Sequence, residues 1–237
     1  MIIYFNIKME LVSIIVVTKR NNITKIIDNY QRQSYLNKEL IIIINSLSID
    51  KNIFINFLKK NNIENFKLFQ NDSNISLGEC YNYAINNFKG DFFCKMDDDD
   101  YYDTNYIANQ IFLLKKFKCD IIGKSYFYLY DSHNKILYSK YIPSIILGGT
   151  MIIKKKVFNK VNFDKLNRGE DTSFLKKAFK YGFKIQSSNI DDFVYIRYTN
   201  NINHHTYNVQ IKDILGNNFS IIKNKELINK LSLFITR

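Results

Sequence analysis

Four consecutive aspartates, Asp97, Asp98, Asp99 and Asp100, follow directly on the short run Phe92-Phe93-Cys94-Lys95-Met96. A strand-like run ending in carboxylates matters because ligand sites of open α/β sheets lie at the carboxyl ends of strands. Adjacent carboxylates repel one another, and a fold tolerates them only where they are well solvated or neutralised by a cation. Hard oxygen donors of this kind suit Mg²⁺ or Mn²⁺, which bind through one or two carboxylates while substrate phosphates fill other positions. The plainer reading is a solvated acidic turn that caps the next helix from Asp103 or Thr104; the strand immediately before the run favours the metal–phosphate site. A cation shared by carboxylates and a diphosphate offsets the charge that develops on a departing nucleoside diphosphate. Glycosyl transfer then needs one more carboxylate, to take the proton of an acceptor hydroxyl as it attacks the anomeric carbon. Glu170 and Asp171, following Gly169 at an expected helix start, are the candidates, although acidic residues favour a helix N-terminus on electrostatic grounds alone. His204 and His205 lie in a polar stretch after a strand, where a neutral imidazole could complete a metal shell or simply face solvent.

The elements that must position these residues can be read from apolar periodicity. Residues 11–17 (LVSIIVV) form a continuous β-branched run, as expected of a parallel strand covered on both faces. Asn21 or Asn22 can cap the segment that follows, where Ile23, Ile26, Ile27 and Tyr30 recur at helical spacing. The β-α pattern repeats with a strand over 40–44, a helix carrying Ile53, Phe54, Phe57 and Leu58, a strand over 66–69, and a helix over 77–88 that Gly90 stops. The strand over 92–96 runs into the aspartates, and a helix over about 105–117 follows. Residues 121–130 and 136–141 read as a hairpin about a polar turn, then come a strand over 150–153 and a short helix over 154–160. Gly169 opens a helix with Phe174, Leu175, Ala178 and Phe179 inward and Gly182 at its end; strands over 184–186 and 193–198 precede helical patterning through Ile221, Ile222, Leu227, Ile228 and Leu231. Alternating strands and helices imply an α/β fold with a doubly wound mixed sheet, and the absence of repeats or Pro/Gly-rich linkers implies a single domain.

Composition bounds the rest. Among 237 residues, 46% are apolar and 15% aromatic, with one proline and eight glycines, which excludes disorder and collagen-like classes. Lys and Arg exceed Asp and Glu by 34 to 22, a formal charge of +12 that implies an anionic partner, although abundant Lys, Asn and Ile can also follow from an AT-rich genome. Cys80, Cys94 and Cys119 match neither a metal motif nor a disulfide framework and read as reduced, mostly buried thiols of a cytoplasmic protein. Lys8 and Glu10 interrupt the apolar N-terminal stretch, so neither a membrane span nor a signal peptide is expected there, and residues 1–8, ahead of Met9, read as an added strand or an upstream start.

Over residues 11–207 the sequence resembles the family 2 glycosyltransferases of the GT-A fold. The matching segments are VSIIVVTKR, QRQSYLNKELIIIIN, LGECYNYAINNFKGDFFCKMDDDDYY, GGTMIIKKKVF and NRGEDTSFLKKAFKYGFKI, with HHTY similar to a His-Thr-aromatic ending of one subgroup. The resemblance implies that Asp97 and Asp99 are the DxD pair, with Asp99 the direct ligand of Mn²⁺ or Mg²⁺ and Asp97 on the ribose or a metal-bound water. It places Asp98 and Thr18 in the nucleotide-binding set and His205 as a further metal ligand. Asp171, last of the GED triplet, takes the role of catalytic base, and Glu170 that of positioning acceptor or donor sugar. Asn45 and Ser46 stand where many members carry an Asp that reads uracil, and Cys80-Tyr81-Asn82 stands for the usual Ala-Arg-Asn. Lys95, Lys19 and Arg20 are then the alternative sources of a cation near the phosphates, each otherwise an ordinary surface residue.

The implied function is metal-dependent, inverting transfer from a nucleotide-sugar donor, expected to be a UDP-sugar, to a glycan or glycolipid acceptor in polysaccharide biosynthesis. Residues of about 11–100 would form the donor half, 101–207 the acceptor half and 208–237 a helical tail. The amphipathic, basic tail could make a peripheral contact with the inner face of a membrane, and no nucleic-acid partner is expected. Competing readings are a sugar nucleotidyltransferase, which releases pyrophosphate instead of a nucleoside diphosphate, and a non-catalytic nucleotide- or nucleic-acid-binding basic domain using Lys154, Lys155 and Lys156.

Overall fold

The computed structural model describes residues 9–144, 146–198, 211–216 and 218–236. The first half contains β1 (Val12–Thr18), α1 (Ile23–Arg32), β2 (Lys38–Ile44), α2 (Lys51–Lys60), β3 (Phe66–Gln70), α3 (Leu77–Ile85) and β4 (Phe92–Lys95). The second contains β5 (Tyr101–Tyr102), α4 (Tyr106–Lys116), β6 (Ile121–Gly123), β7 (Tyr126–Asp131), β8 (Ile136–Tyr141), β9 (Ile152–Lys154), α5 (Glu170–Lys180), β10 (Ile185–Ser187), β11 (Phe193–Arg197), α6 (Ile211–Leu215), β12 (Phe219–Ile222) and α7 (Lys225–Ile235).

Two mixed sheets result, in the orders β10-β6-β9-β4-β1-β2-β3 and β12-β8-β7-β11-β5. In the larger sheet β9 alone runs antiparallel to its neighbours. β1 and β2 read as unbroken apolar runs because both their faces are covered. Val12, Ile14 and Val16 pack with Ile26 and Ile27 of α1 on one side, and Ile15 packs toward Tyr81 and Ala84 of α3 on the other. Burying each such side chain contributes roughly 1.5–3 kcal/mol. The smaller sheet buries Tyr130, Leu137, Val194 and Ile196 under Leu231 and Phe234 of α7. The three cysteines are free and buried, and among the described residues no helix is long and apolar enough to cross a membrane.

Several elements differ from their sequence patterns. The run 121–130 is divided: β6 joins the larger sheet and β7 the smaller, with Lys124 and Ser125 at the crossing. Ile221 and Ile222 belong to the edge strand β12, not to a helix. The segment after β9 is a 3-10 turn, Lys155–Asn159. Ile53, Phe57 and Phe179 face outward, with Phe179 75% exposed, because helical periodicity places an apolar stripe only approximately when lysines flank it. α3 ends at Ile85, well before Gly90, which is required for a different reason: a Cβ there would lie 2.8 Å from Leu11 O and 2.6 Å from Ser13 Oγ. Asn105 precedes α4, so neither Asp103 nor Thr104 is its cap.

The helix α5 depends on Phe174, which is fully buried and stacks on Phe163 at a centroid distance of 4.3 Å. Phe174→Ala is expected to lower unfolding free energy by about 3–5 kcal/mol. A urea midpoint unchanged from the parent's would show that this stack does not hold α5 to the sheet.

Candidate active site

β1 and β4 are neighbours in the sheet, yet between them the chain visits β2 and β3 on the far side of β1. The strand order therefore reverses between β1 and β4, and loops leaving the two strands diverge to open a crevice at their carboxyl ends. The four aspartates leave β4 there and lead directly into β5, so they span the passage from one sheet to the other.

Thr18, at the end of β1, donates its hydroxyl to Asp98 Oδ2. Arg20 straddles two carboxylates: Nη2 is ion-paired with Asp98 Oδ1, Nε donates to Asp98 Oδ2 at 3.2 Å, and Nη1 lies 2.9 Å from Asp99 Oδ2. Asn22 stands at the start of α1 without capping it; its side-chain amide instead reaches Asp98 Oδ2 at 3.4 Å. The fully buried Asp98 thus ties the loop after β1 to the acidic segment. Asp100 is also enclosed, accepting from Ile196 N–H at 2.9 Å, while its carbonyl accepts from Asn29 of α1 at 2.8 Å. Lys25 of α1 is buried and donates to the Tyr198 hydroxyl at 2.9 Å, and that hydroxyl donates to the Asp99 carbonyl at 3.3 Å.

Asp97 differs from its neighbours: its carboxylate accepts no hydrogen bond among the described residues. Its backbone N–H donates to the Tyr102 hydroxyl at 2.8 Å, which in turn donates to Gly149 O at 2.7 Å. Burial pushes Asp97 up to about 6, with Lys95 opposing and the charges of Asp171 and Asp98 adding. Burial, reinforced by Asp98 and opposed by Arg20, pushes Asp99 up to about 7. Asp100 is raised well above the usual carboxylate range, first by burial and then by Asp99 and Asp97.

The second acidic group arrives from a distant part of the chain. Gly169, with φ of 76°, takes the left-handed conformation that lets α5 begin at Glu170, and both acids occupy its first turn. Asp171 Oδ1 is ion-paired with the Lys95 ammonium, whose Nζ lies 3.8 Å from Glu170 Oε1. The 3-10 turn Gly148–Thr150 joins the two acidic groups. A Cβ on Gly148 would overlap the Asp171 carboxylate, and a Cβ on Gly149 would overlap Asp97 Oδ2 and stand 2.8 Å from its Cγ. Consecutive glycines therefore carry on their bare α-carbons two carboxylates that are 74 positions apart in sequence.

Of the other residues named from sequence, Asn45 is fully buried at the end of β2. Its amide donates to Ile75 O at 2.9 Å, and its Oδ1 has no partner among the described residues. Ser46 is half-buried and bonds to Ser48 at 2.7 Å. His204 and His205 lie outside the described residues. Lys19 reaches Ser73 O at 3.2 Å on the surface, as expected of an ordinary lysine, whereas Arg20 is half-buried against Asp98 and Asp99 and Lys95 is fully buried. Tyr102 and the Gly148-Gly149 pair carried no sequence signal of a place in the site; for Lys95 the signal was a lone charge inside an apolar strand. A cavity of about 280 Å³ lies elsewhere, between β5, β11 and α7.

Among the described residues no three His, Cys, Asp or Glu side chains are arranged to enclose a metal ion. Asp97 and Asp99, the latter ion-paired with Arg20, are hard carboxylates in surroundings where buried acids exceed the compensating cations Arg20, Lys95 and Lys25. That donor set fits a divalent cation whose other positions are filled by phosphate oxygens and water.

Glu170 provides a pH signature. It is buried, and burial followed by the Asp171 charge, against Lys95, pushes its carboxyl up to about 7. A carboxyl raised in the fold contributes stability that is fully present below its unfolded value, about 4.3, and is lost as pH rises through the folded value. In chelator, Glu170→Gln should therefore gain stability relative to the parent between pH 5 and pH 8, read as urea midpoints. A constant difference across that window would contradict the assignment.

The family described as Glycosyl transferase family 2 matches residues 12–182. An uncharacterized glycosyltransferase of Rickettsia typhi is 32% identical over 176 residues, covering 65% of this chain and 54% of the relative. Among solved structures, residues 1–349 of S. aureus TarS superpose with a TM-score of 0.61 at 16% identity, over 78% of this chain and 60% of that one. The mannosyltransferase PcManGT from Pyrobaculum calidifontis, in complex with GDP-Man and Mn²⁺, superposes with a TM-score of 0.62 at 13% identity, over 78% and 56%. TarS 1–349 in complex with UDP-GlcNAc gives a TM-score of 0.60 at 16% identity, over 80% and 59%. The chain thus spans about half the length of the curated relative it matches, and its mixed α/β architecture is the one these glycosyltransferase structures share.

Proposed function

The chain belongs to glycosyl transferase family 2, and from that premise we propose that it transfers a sugar from a nucleotide-sugar donor, a UDP-sugar by preference, to a hydroxyl of a glycan or glycolipid acceptor. The observation that carries this reading is the meeting of Asp97 and Asp171 on adjacent glycines at the carboxyl ends of β1 and β4. One carboxylate without a hydrogen bond faces the place for a donor diphosphate, and a second stands beside it for the acceptor. The relatives lend support: S. aureus TarS is described with UDP and with UDP-GlcNAc, and PcManGT with GDP-Man and Mn²⁺.

In this mechanism Asp171 takes the proton of the acceptor hydroxyl. That oxygen bonds to the anomeric carbon as the bond from carbon to the diphosphate oxygen breaks, which inverts the centre in a single displacement and releases a nucleoside diphosphate. Glu170 orients the sugar. Asp97 and Asp99 would hold Mn²⁺ or Mg²⁺, with His205 the further ligand expected from sequence; the cation supplies charge stabilisation for the leaving diphosphate. Thr18 and Asp98 hold the loop that receives the nucleoside. Asn45, whose amide is committed to Ile75 O, offers Oδ1 as a fixed acceptor for an N–H of the base. The division near residue 100 separates donor and acceptor halves of one domain, with residues 208–237 as a tail able to make a peripheral membrane contact. Free, buried thiols fit a cytoplasmic location.

The test is a thermal-shift screen of UDP- and GDP-sugars with and without Mn²⁺, coupled to product analysis. A donor at about 100 times its Kd stabilises the fold by about 2.7 kcal/mol. The expected result is a Mn²⁺-dependent rise in melting temperature and release of nucleoside diphosphate. Release of pyrophosphate, or no response to any nucleotide sugar, would overturn the reading.

A further inference from the structure

Of the site cations Arg20, Lys25 and Lys95, Lys95 is the most deeply enclosed: its side chain is 1% exposed, against 26% for Arg20. Its ammonium is held on two sides. Carboxylates lie on one, Asp171 in direct ion pair and Glu170 Oε1 at 3.8 Å. Aromatic faces lie on the other, with Nζ 4.0 Å from the Tyr81 ring centroid and 5.4 Å from that of Phe163. The aromatic wall is itself fixed. Asn82 bonds both backbone groups of Phe163, at 2.8 and 2.9 Å, and Phe174 of α5 stacks on the Phe163 ring. A lysine so enclosed cannot swing out to meet a phosphate, and desolvating its charge costs several kcal/mol before pairing offsets it. An apolar side chain of the same length would fill the space at lower cost. The charge is therefore explained by what it does to the acids at the start of α5.

We infer that Lys95 is a positioning residue for Asp171: by engaging Oδ1 from within the core, it fixes the carboxylate against the bare α-carbon of Gly148 and sets the direction in which the second oxygen meets the acceptor. This rests on the reading of Asp171 as the base. The end of β4 thereby serves both halves of the reaction, since Lys95 closes the strand and Asp97 follows it two residues on.

The test compares Lys95→Met, Lys95→Arg, Asp171→Asn and the Lys95→Met/Asp171→Asn pair in the full-length chain. Readouts are melting temperature, UDP binding with Mn²⁺ by calorimetry, and kcat and KM for nucleoside diphosphate release from a donor the parent turns over. A positioning role predicts that Lys95→Met lowers kcat by about 10- to 100-fold while UDP affinity and donor KM stay within about twofold. Lys95→Arg should recover a substantial part of kcat, and Lys95→Met should cost little more once Asp171 is Asn. A weakened UDP affinity with unchanged kcat would make Lys95 a phosphate contact, and multiplicative losses in the double variant would make it independent of Asp171; either overturns the inference. If Lys95→Met does not fold, the same split is read on Lys95→Gln, and failure of both to fold would assign the residue to the core alone. Full activity in Asp171→Asn, or a parent that releases no nucleoside diphosphate from any donor, would instead sink the underlying reading, and with it this role.

Discussion

Gly148→Ala should reduce turnover by about 100-fold or more in a protein that still folds. The added methyl would occupy the position of the Asp171 carboxylate, and neither partner can yield easily. Asp171 is drawn inward by Lys95, which Tyr81 and Phe163 confine. The turn is held by Thr150, whose N–H and hydroxyl both donate to Leu147 O at 3.0 and 2.7 Å, and by the Tyr106 hydroxyl on Thr150 O at 2.8 Å. The carboxylate must then rotate away, and a displacement of about 1 Å in a reacting group costs about 10²-fold in rate. Gly149→Ala applies the same pressure to Asp97 and should weaken Mn²⁺-dependent donor binding in addition to kcat. The contrast is informative: Gly148→Ala should leave UDP affinity intact, whereas Gly149→Ala should not. Steady-state kinetics and calorimetry on the two variants separate these effects, and parental kcat in Gly148→Ala would show that the turn does not set the position of Asp171.

The second large effect is expected at Asp97. Asp97→Asn should abolish Mn²⁺-dependent stabilisation by nucleotide sugars and lower turnover by about 10³-fold or more, the scale on which loss of an electrostatic stabiliser is felt. In chelator the same variant should melt no lower than the parent, and above neutral pH it should melt higher. The carboxylate has no hydrogen bond to lose among the described residues, and its charge lies in a buried group that already includes Asp98, Asp99 and Asp171. Removing one like charge relieves repulsion and desolvation together. A residue whose loss stabilises the metal-free fold and eliminates function is kept for function. A variant that still responds to Mn²⁺ with an undiminished melting shift would remove Asp97 from the cation site.

Arg20 and Lys95 illustrate how residue type alone misleads. Both were ordinary surface residues by type, and both are engaged with carboxylates, one on Asp98 and Asp99 and the other on Asp171. Nothing in the local pattern separates Arg20 from Lys19, which lies on the surface beside Ser73, and Lys95 stands out only as a lone charge inside an apolar strand. The hairpin expected over 121–141 forms between β7 and β8, but its first strand is shorter than the sequence run for a related reason. Residues 121–130 have strand propensity throughout, and only the presence of two separate sheets decides that the run is divided at Lys124 and Ser125.

What the sequence determined by itself was everything carried by near neighbours: the β-branched runs of β1 and β2, the apolar stripes of α1 and α4, the acids after β4 and the Gly169-Glu170-Asp171 helix start. These follow from periodicity and local chain geometry, which a short window contains in full. Only the tertiary structure decided which charge meets which. Lys95 meets Asp171, Arg20 bridges Asp98 and Asp99, and Gly148 and Gly149 bring Asp171 and Asp97 together. Such pairings depend on sheet order and on close backbone approach between segments that lie far apart along the chain, and pairwise attraction of a few ångströms' range leaves no trace in residue spacing.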